Sequence, residues 1–454
     1  MLRVWGGGVF GKKHFYNECD RLGILVTQDF LMAYGDYPGE DPDFIKLIRK
    51  ETEFAAYEYR NHPSLVWWSG DNENAIRGYD TADKFQGRDA IYNGIIPVLM
   101  KLDPKRRFLL SSPYGGNLYA SKTVGTTHNT QYLIHSIYPY ILDEDMTNYK
   151  EHFSTFLARF IAEEPTLGAI NLPSLKKFMT DSDIYDCDDI WDYHMRENPY
   201  DPFTLFDVLK GFAKKVFGDF QDGKDRYFKI KCTHFEWVRI SMENFRRNYG
   251  FINGIIYWMW NDCWPASAGW SFVDYYCLPK SSFYSFKRCA SHTIVSIDKS
   301  NEYNIYLCNN APLEKQVNLS LSYLNNGKVF HITDVKATIG PCSSSKVYDL
   351  ALSEVPDGAT LICDAVFDGG HDRAFYKNGL LPIVPCDAPT VISRDENSIT
   401  LTCDSYIHAV ELEGEYVFSD NYFSLLPNEK KTVTFRKSTG AKTDDFTIVG
   451  YTIK

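Results

Sequence analysis

The hydrophobic period of this 454-residue chain changes near residue 290, and the change calls for two kinds of architecture in one polypeptide. Before it, short runs that are apolar throughout alternate with segments of helical spacing. After it, apolar and polar residues alternate, as in half-buried antiparallel strands. In the first part, Gly23-Ile24-Leu25-Val26 leads into Thr27-Gln28-Asp29-Phe30, and Leu65-Val66-Trp67-Trp68 leads into Ser69-Gly70-Asp71-Asn72-Glu73. The same order, apolar run then polar end, recurs at residues 108–112 and 160–163, and a further apolar run spans 255–258. Strands of this kind separated by helices belong to a parallel sheet covered on both faces. Asp41-Pro42 predicts a helix start, with Asp as the cap and Pro in the first turn. Phe44, Ile45, Ile48, Ala55 and Tyr59 form its buried stripe, and the helix must stop before Pro63. Phe228, Cys232, Phe235, Val238, Met242 and Phe245, at spacings of three and four, predict a long helix over residues 225–248 with Gly250 as its stop.

In the second part Val317, Leu319, Leu321 and Tyr323 alternate with polar residues, and Asn325-Asn326-Gly327 predicts a hairpin turn. Ile399, Leu401 and Cys403, then Val410 and Leu412, continue the alternation. The chain therefore divides into a first domain over 1–290 and two small β-sandwiches over 291–375 and 376–454, with a boundary around Leu380-Leu381-Pro382.

Forty-eight basic against 59 acidic residues leave a net charge of −11, which argues against nucleic acid or an anionic membrane as partner. No apolar run approaches the roughly 18–20 residues of a membrane span. Eleven cysteines are scattered without CxxC pairs, so neither a disulfide scaffold nor a zinc cluster is indicated. Free thiols fit a cytoplasmic protein, and the first ten residues lack the pattern of a signal peptide. Gly6-Gly7-Gly8 lacks the spacing of a phosphate-binding loop, and His14, His62, His128, His135 and His152 form no HExxH. No metal or organic cofactor is expected.

Polar ends of parallel strands are where an α/β barrel gathers its functional side chains. Glu73 and Glu163 both stand at such ends, about 90 residues apart, which is close to three βα units of roughly 31 residues each. Two carboxylates at one barrel mouth suit retaining glycoside hydrolysis, which needs a nucleophile and an acid/base roughly 5–5.5 Å apart. On spacing alone, a pair of solvated loop carboxylates is an equal reading. Aromatic residues, 15% of the chain, add weight, because indole rings bury the apolar face of a sugar. Trp67 and Trp258 lie inside apolar runs and read as core. Trp264, beyond a strand end in Asn261-Asp262-Cys263-Trp264-Pro265, suits sugar stacking better.

At these residues the sequence resembles glycoside hydrolase family 2, in particular its β-mannosidase branch. Arg3-Val4-Trp5-Gly6-Gly7-Gly8, Phe15-Tyr16-Asn17-Glu18-Cys19-Asp20 and Gly23 to Phe30 are similar to that branch's second and third barrel strands. Arg60-Asn61-His62-Pro63-Ser64 through Gly70-Asp71-Asn72-Glu73 resembles the acid/base strand, where the family reads Gly-Asn-Asn-Glu. Arg159-Phe160-Ile161-Ala162-Glu163 resembles the nucleophile strand, and Asn261 to Pro265 with Gly269-Trp270-Ser271 the last-strand motif. Phe418-Ser419-Asp420-Asn421-Tyr422-Phe423 is similar to the final Ig-like domain.

The resemblance implies a (β/α)8-type TIM barrel, incomplete at its N-terminus, followed by two Ig-like β-sandwiches. It implies a retaining exo-β-glycosidase acting on a terminal β-linked sugar, most of all a β-mannoside. A β-galactosidase or β-glucuronidase of the same family, or a non-catalytic carbohydrate-binding fragment, are the alternatives. Glu73 is then the acid/base and Glu163 the nucleophile. Arg3 would help keep the nucleophile ionised, Asn72 would bond the sugar 2-hydroxyl, and Trp5, Asp29, His128 and Trp264 would complete the sugar site. Three departures stand out. Glu163 is followed by Glu164-Pro165 where the family has Phe-Gly, leaving Glu164 as a rival nucleophile one position away. Gly125-Thr126-Thr127-His128-Asn129-Thr130 replaces a Gly-Asp-x-His segment followed by Trp, a region the family uses against substrate. The domains and first barrel strand that precede this region in the family are missing, so a gene fragment or misplaced start is expected.

Overall fold

The apolar runs of the first part overlap short strands, and the polar residues that follow them fall inside the strand, as Thr27–Asp29 and Glu163 do, or in the loop beyond it, as Asp71–Glu73 do. In the computed structural model, residues 1–454 are described except 36, 75–86, 116–120, 129–148, 156, 196–203 and 444. Asn129 and Thr130 of the departing segment, and His135, therefore lie outside the described residues. Two compact units emerge. One comprises Met1–Gln131, Leu157–Glu164 and Phe251–Tyr257, and the other Tyr132–Phe156, Pro165–Gly250 and Trp258–Lys454.

In the first unit β1 (Leu2–Val4), β2 (Val26–Asp29), β3 (Leu65–Ser69) and β4 (Arg107–Leu109) make a parallel sheet in that order. Its register sets Arg3 beside Thr27, Thr27 beside Trp67, and Trp67 beside Arg107. A second sheet has the order β5 (Thr127–His128), β6 (Ile161–Pro165), β8 (Ile255–Trp258), and places His128 beside Glu163. Single bridges continue the parallel pattern past the strand ends, Ala33 with Asn72 and Asn72 with Ser112. These described parallel strands form two sheets, and no closed eight-strand ring is present among them.

Helices α1 (Lys13–Leu22) and α2 (Pro42–Tyr59) cover the first sheet. Asp41 caps α2 by accepting from the backbone N–H of Asp43, as the Asp-Pro pair predicts. The core packs Tyr16, Val26, Phe30, Ile48, Ala55, Tyr59, Leu65 and Trp68, all buried, with Phe30 stacked on Trp68 at 5.4 Å. Burying each of these large side chains contributes about 1.5–3 kcal/mol.

The second unit is built around helices α3 (Leu205–Phe217), α4 (Gly223–Arg247) and α5 (Ser281–Cys289). The long predicted helix is α4, capped by Asp222, and most of its side chains are buried. A two-residue ladder joins β7 (Gly168–Ala169) to β9 (Ala268–Gly269). Glycine is required at Gly168, where a Cβ would lie 2.1 Å from the His234 side chain.

Beyond residue 290 the alternation yields antiparallel sheets. Three strands, Thr293–Lys299, Glu302–Asn309 and Ser343–Ala351, form one sheet, and Lys328–Ile339, Lys315–Asn325, Thr360–Phe367 and Gly370–Lys377 form another. Asn326 and Gly327 take positive φ values of 48° and 75°, the backbone a two-residue hairpin needs. Two further four-stranded sheets lie between Ile383 and Ile453. Lys231 on α4 is wholly buried against the carboxylates of Glu411 and, at 3.0 Å, Glu413 on one of these strands.

Candidate active site

The middle residue of β1 organises the polar ends of the first unit. Arg3 donates from Nη2 to Asp29 Oδ2 and to Asn72 Oδ1, both at 2.7 Å. From Nη1 it reaches Glu163 Oε2 at 2.7 Å and approaches His128 Nε2 at 3.5 Å. One guanidinium thus joins residues carried by four different strands or the segments that follow them, because its planar fork offers five donors in fixed directions. Asp29 also accepts from the backbone N–H of Gly6, so its carboxylate is saturated by protein groups.

Asn72 and Glu73 follow β3. Their backbone is pinned by Asn72 N–H to Met32 O, Tyr34 N–H to Asn72 O and Glu73 N–H to Ser112 O, at 2.8–2.9 Å. Glu73 is held at φ 61°, a left-handed conformation that costs a non-glycine residue on the order of 1 kcal/mol. Gly70 permits the close approach of the neighbouring loop, since a Cβ there would stand 2.3 Å from the carbonyl oxygen of Leu110. Gly7 likewise leaves room for the indole of Trp5, whose ring a Cβ would enter at 2.0 Å.

His128 ends β5 with its side chain fully enclosed. Its Nδ1 lies 2.7 Å from Glu73 Oε1 and 3.6 Å from Glu163 Oε2, and its Nε2 lies 2.9 Å from Ser112 Oγ. Of the two neighbouring carboxylates on β6, Glu163 faces this group. Glu164 is buried, and neither of its oxygens has a hydrogen-bond partner among the described residues.

Burial raises the carboxyl of Glu73 above its ordinary range, against a weaker downward pull from Arg3. Burial pushes His128 down to about 3, with Glu163 resisting and Arg3 assisting the fall, so the ring is neutral. Burial also opposes the charge on Arg3, yet Asp29 and Glu163 together hold it above its already high range. Asp29 is lifted by burial and drawn back by Arg3. Asp71 and Glu164 are raised well above the carboxylate range by burial, Asp71 while accepting a hydrogen bond from Ser111 Oγ.

Glu73, His128 and Glu163 offer ligand atoms that all lie within 4.8 Å of one another, a spacing a divalent ion could bridge. The Arg3 guanidinium already supplies positive charge at Glu163, so the group is a pair of carboxyls joined by a guanidinium and a neutral imidazole. An arrangement of this kind can attack with one carboxylate and exchange a proton with the other.

Arg3, Asp29, Asn72, Glu73, His128 and Glu163 are brought together by the first unit, and Trp5 packs on Gly7 nearby in sequence. Trp264 belongs to the second unit, half-buried in the loop after β8. Sequence reasoning passed over Ser111 and Ser112. Their signal was available, since Leu109-Leu110-Ser111-Ser112 repeats the apolar-run-then-polar order of the other strand ends.

Residues 386–449 match the Ig-fold domain family of mannosidases. β-Mannosidase B of Emericella nidulans is 26% identical over 82% of this chain and 45% of its own length. The Aspergillus clavatus β-mannosidase B is 25% identical over 96% of this chain and 56% of its own length. Among solved structures, the β-D-mannosidase from Dictyoglomus thermophilum shares the fold with a TM-score of 0.82 and 24% identity, over 99% of this chain and 56% of that one. The Amycolatopsis orientalis exo-chitosanase shares it with a TM-score of 0.70 and 16% identity, over 100% and 59%. The chain spans about half the length of the curated relatives it matches. The resemblance to the β-mannosidase branch of glycoside hydrolase family 2 agrees with these likenesses, which show a mannosidase-type Ig-fold domain over 386–449 and a shared fold.

Proposed function

We propose that this β-mannosidase-like chain is a retaining exo-β-glycosidase, that its substrate is a terminal β-mannoside, and that its parallel strands belong to a (β/α)8-type barrel. The observation that carries the reading is the approach of Glu73 and Glu163, with facing atoms within 4.8 Å. That closeness favours the retaining geometry of roughly 5–5.5 Å over the roughly 6.5–9.5 Å that leaves room for an intervening water.

In the first step a carboxylate oxygen of Glu163 attacks the anomeric carbon. The glycosidic C–O bond breaks as Glu73 gives its proton to the departing oxygen, leaving a glycosyl ester on Glu163. In the second step Glu73, now a carboxylate, takes a proton from water, and the water oxygen displaces Glu163 from the anomeric carbon. Burial of Glu73 supports its role, because a raised carboxyl still carries its proton when the leaving group needs it. Arg3 holds the Glu163 oxygen by a charge-assisted bond, and its hold on Asn72 fixes the amide next to the acid/base.

Glu163→Gln and Glu73→Gln are each expected to lower turnover of an aryl β-mannoside by about 10²–10⁴-fold. Near-normal turnover by either variant, or no hydrolysis of any aryl glycoside by the unmodified chain, ends the proposal. Preference for an aryl β-galactoside or β-glucuronide in the same panel would overturn the sugar assignment alone.

A further inference from the structure

His128 would contact sugar if its role followed the resemblance, yet its side chain is fully enclosed and both ring nitrogens are engaged by protein. Its surroundings settle where the single proton of the neutral ring must be. Nε2 faces Ser112 Oγ at 2.9 Å and the Arg3 Nη1 at 3.5 Å. Arginine can only donate. A protonated Nε2 would point its hydrogen at a guanidinium N–H, so Nε2 is the accepting nitrogen and takes the Ser112 hydroxyl proton as well. Nδ1 therefore carries the hydrogen, and at 2.7 Å it is directed at Glu73 Oε1.

We propose that His128 is a positioning residue: a neutral Nδ1–H donor that holds Glu73 by Oε1, so that only Oε2 of the acid/base exchanges protons with the substrate. The reading rests on Glu73 as acid/base. A neutral donor suits the task. A cationic imidazole would favour the carboxylate and drain the proton the first step needs, whereas a neutral N–H fixes the carboxyl in one rotamer through both steps. Ser112, from the loop after β4, locks the tautomer from the far side of the ring. Among the described residues, the other charged groups acting on this ring are Arg3 on β1 and Glu163 on β6, the first opposing its protonation and the second favouring it.

Two measurements test this. The first compares glycosides with a good leaving group, such as dinitrophenolate, against those with a poor one. His128→Leu should cut kcat/KM, which reports only the step that forms the glycosyl ester, by about 10²–10³-fold for the poor leaving group and by no more than about tenfold for the good one, since only the former needs the proton in that step. His128→Asn, whose amide N–H sits near the Nδ1 position, should recover much of the loss. A sugar-contacting role would instead lower both substrates alike, and that result overturns the proposal. The second is nitrogen NMR of isotopically labelled histidine in the unmodified chain, with the His128 signals identified by their loss in His128→Asn. The expected spectrum shows Nδ1 protonated and Nε2 bare, without titration between about pH 5 and 8. The opposite tautomer, or a titration in that range, overturns the proposal. This spectrum needs no turnover, so a chain that hydrolyses nothing would end the functional reading while the role of His128 is still decided.

Discussion

Glu164 is a fully buried carboxyl group with no hydrogen-bond partner among the described residues. Because burial raises its carboxyl in the folded state, the folded chain binds a proton that the unfolded chain has already lost. Stability therefore falls as pH rises above the ordinary carboxylate range, toward the folded value. Glu164→Met should raise stability by about 1–3 kcal/mol at neutral pH and by less in acid, measured as the shift in thermal midpoint on either side of the carboxylate range. Greater loss at neutral pH than in acid would show that Glu164 has an ionised role. The sequence left Glu163 and Glu164 as rivals one position apart, because alternation along a strand says that they face opposite sides without saying which side holds the site. Arg3 favours Glu163, since a guanidinium from β1 donates to it at 2.7 Å.

At the scale of elements, the strand grammar of the first 290 residues was legible. Asp41-Pro42 starts a helix, Leu65 to Trp68 form a strand, and Glu73 stands past the end of that strand, whereas Glu163 lies inside β6 and not beyond it. Less legible was anything made by backbone approaching backbone. The left-handed turn at Glu73 and the contact of Gly70 with Leu110 depend on tertiary neighbours that no local pattern records. Gly70→Ala makes this measurable. The added Cβ has backbone oxygen at 2.3 Å and the Ile91 side chain at 2.8 Å, so the strand ends of β3 and β4 must part. A cost of about 1–3 kcal/mol is expected, with loss of turnover beyond what the stability change explains, because Glu73 is carried by the displaced segment. A fully stable and active variant would show that the turn tolerates the strain.

For the whole molecule, the shift from helical and parallel character to antiparallel sheets near residue 290 was visible in the hydrophobic period. The way α4 is tied to the C-terminal strands was not, because its apolar spacing gives no hint of the buried Lys231 with Glu411 and Glu413. Removing a single partner from a buried ionic group leaves charge without compensation. Lys231→Met is expected to cost about 3–5 kcal/mol, read in thermal unfolding. Glu411, raised by burial and restrained by Lys231, would rise further without it. The variant should then suffer most at high pH, where protonating the stranded Glu411 costs most. Equal loss across pH would mean that packing around the lysine stem matters more than its charge.

The many-handed grip of Arg3 has a practical corollary for anyone dissecting this protein by mutation. A node that simultaneously anchors Asp29, Asn72 and Glu163 cannot be deleted one contact at a time, so truncating it produces a single composite phenotype whatever job each neighbour performs. Conversely, substitutions at those neighbours will fail to add up, each releasing a donor that the remaining acceptors recapture. Individual roles at this centre become separable only in paired substitutions, scored by how far the double variant departs from the sum of its parents.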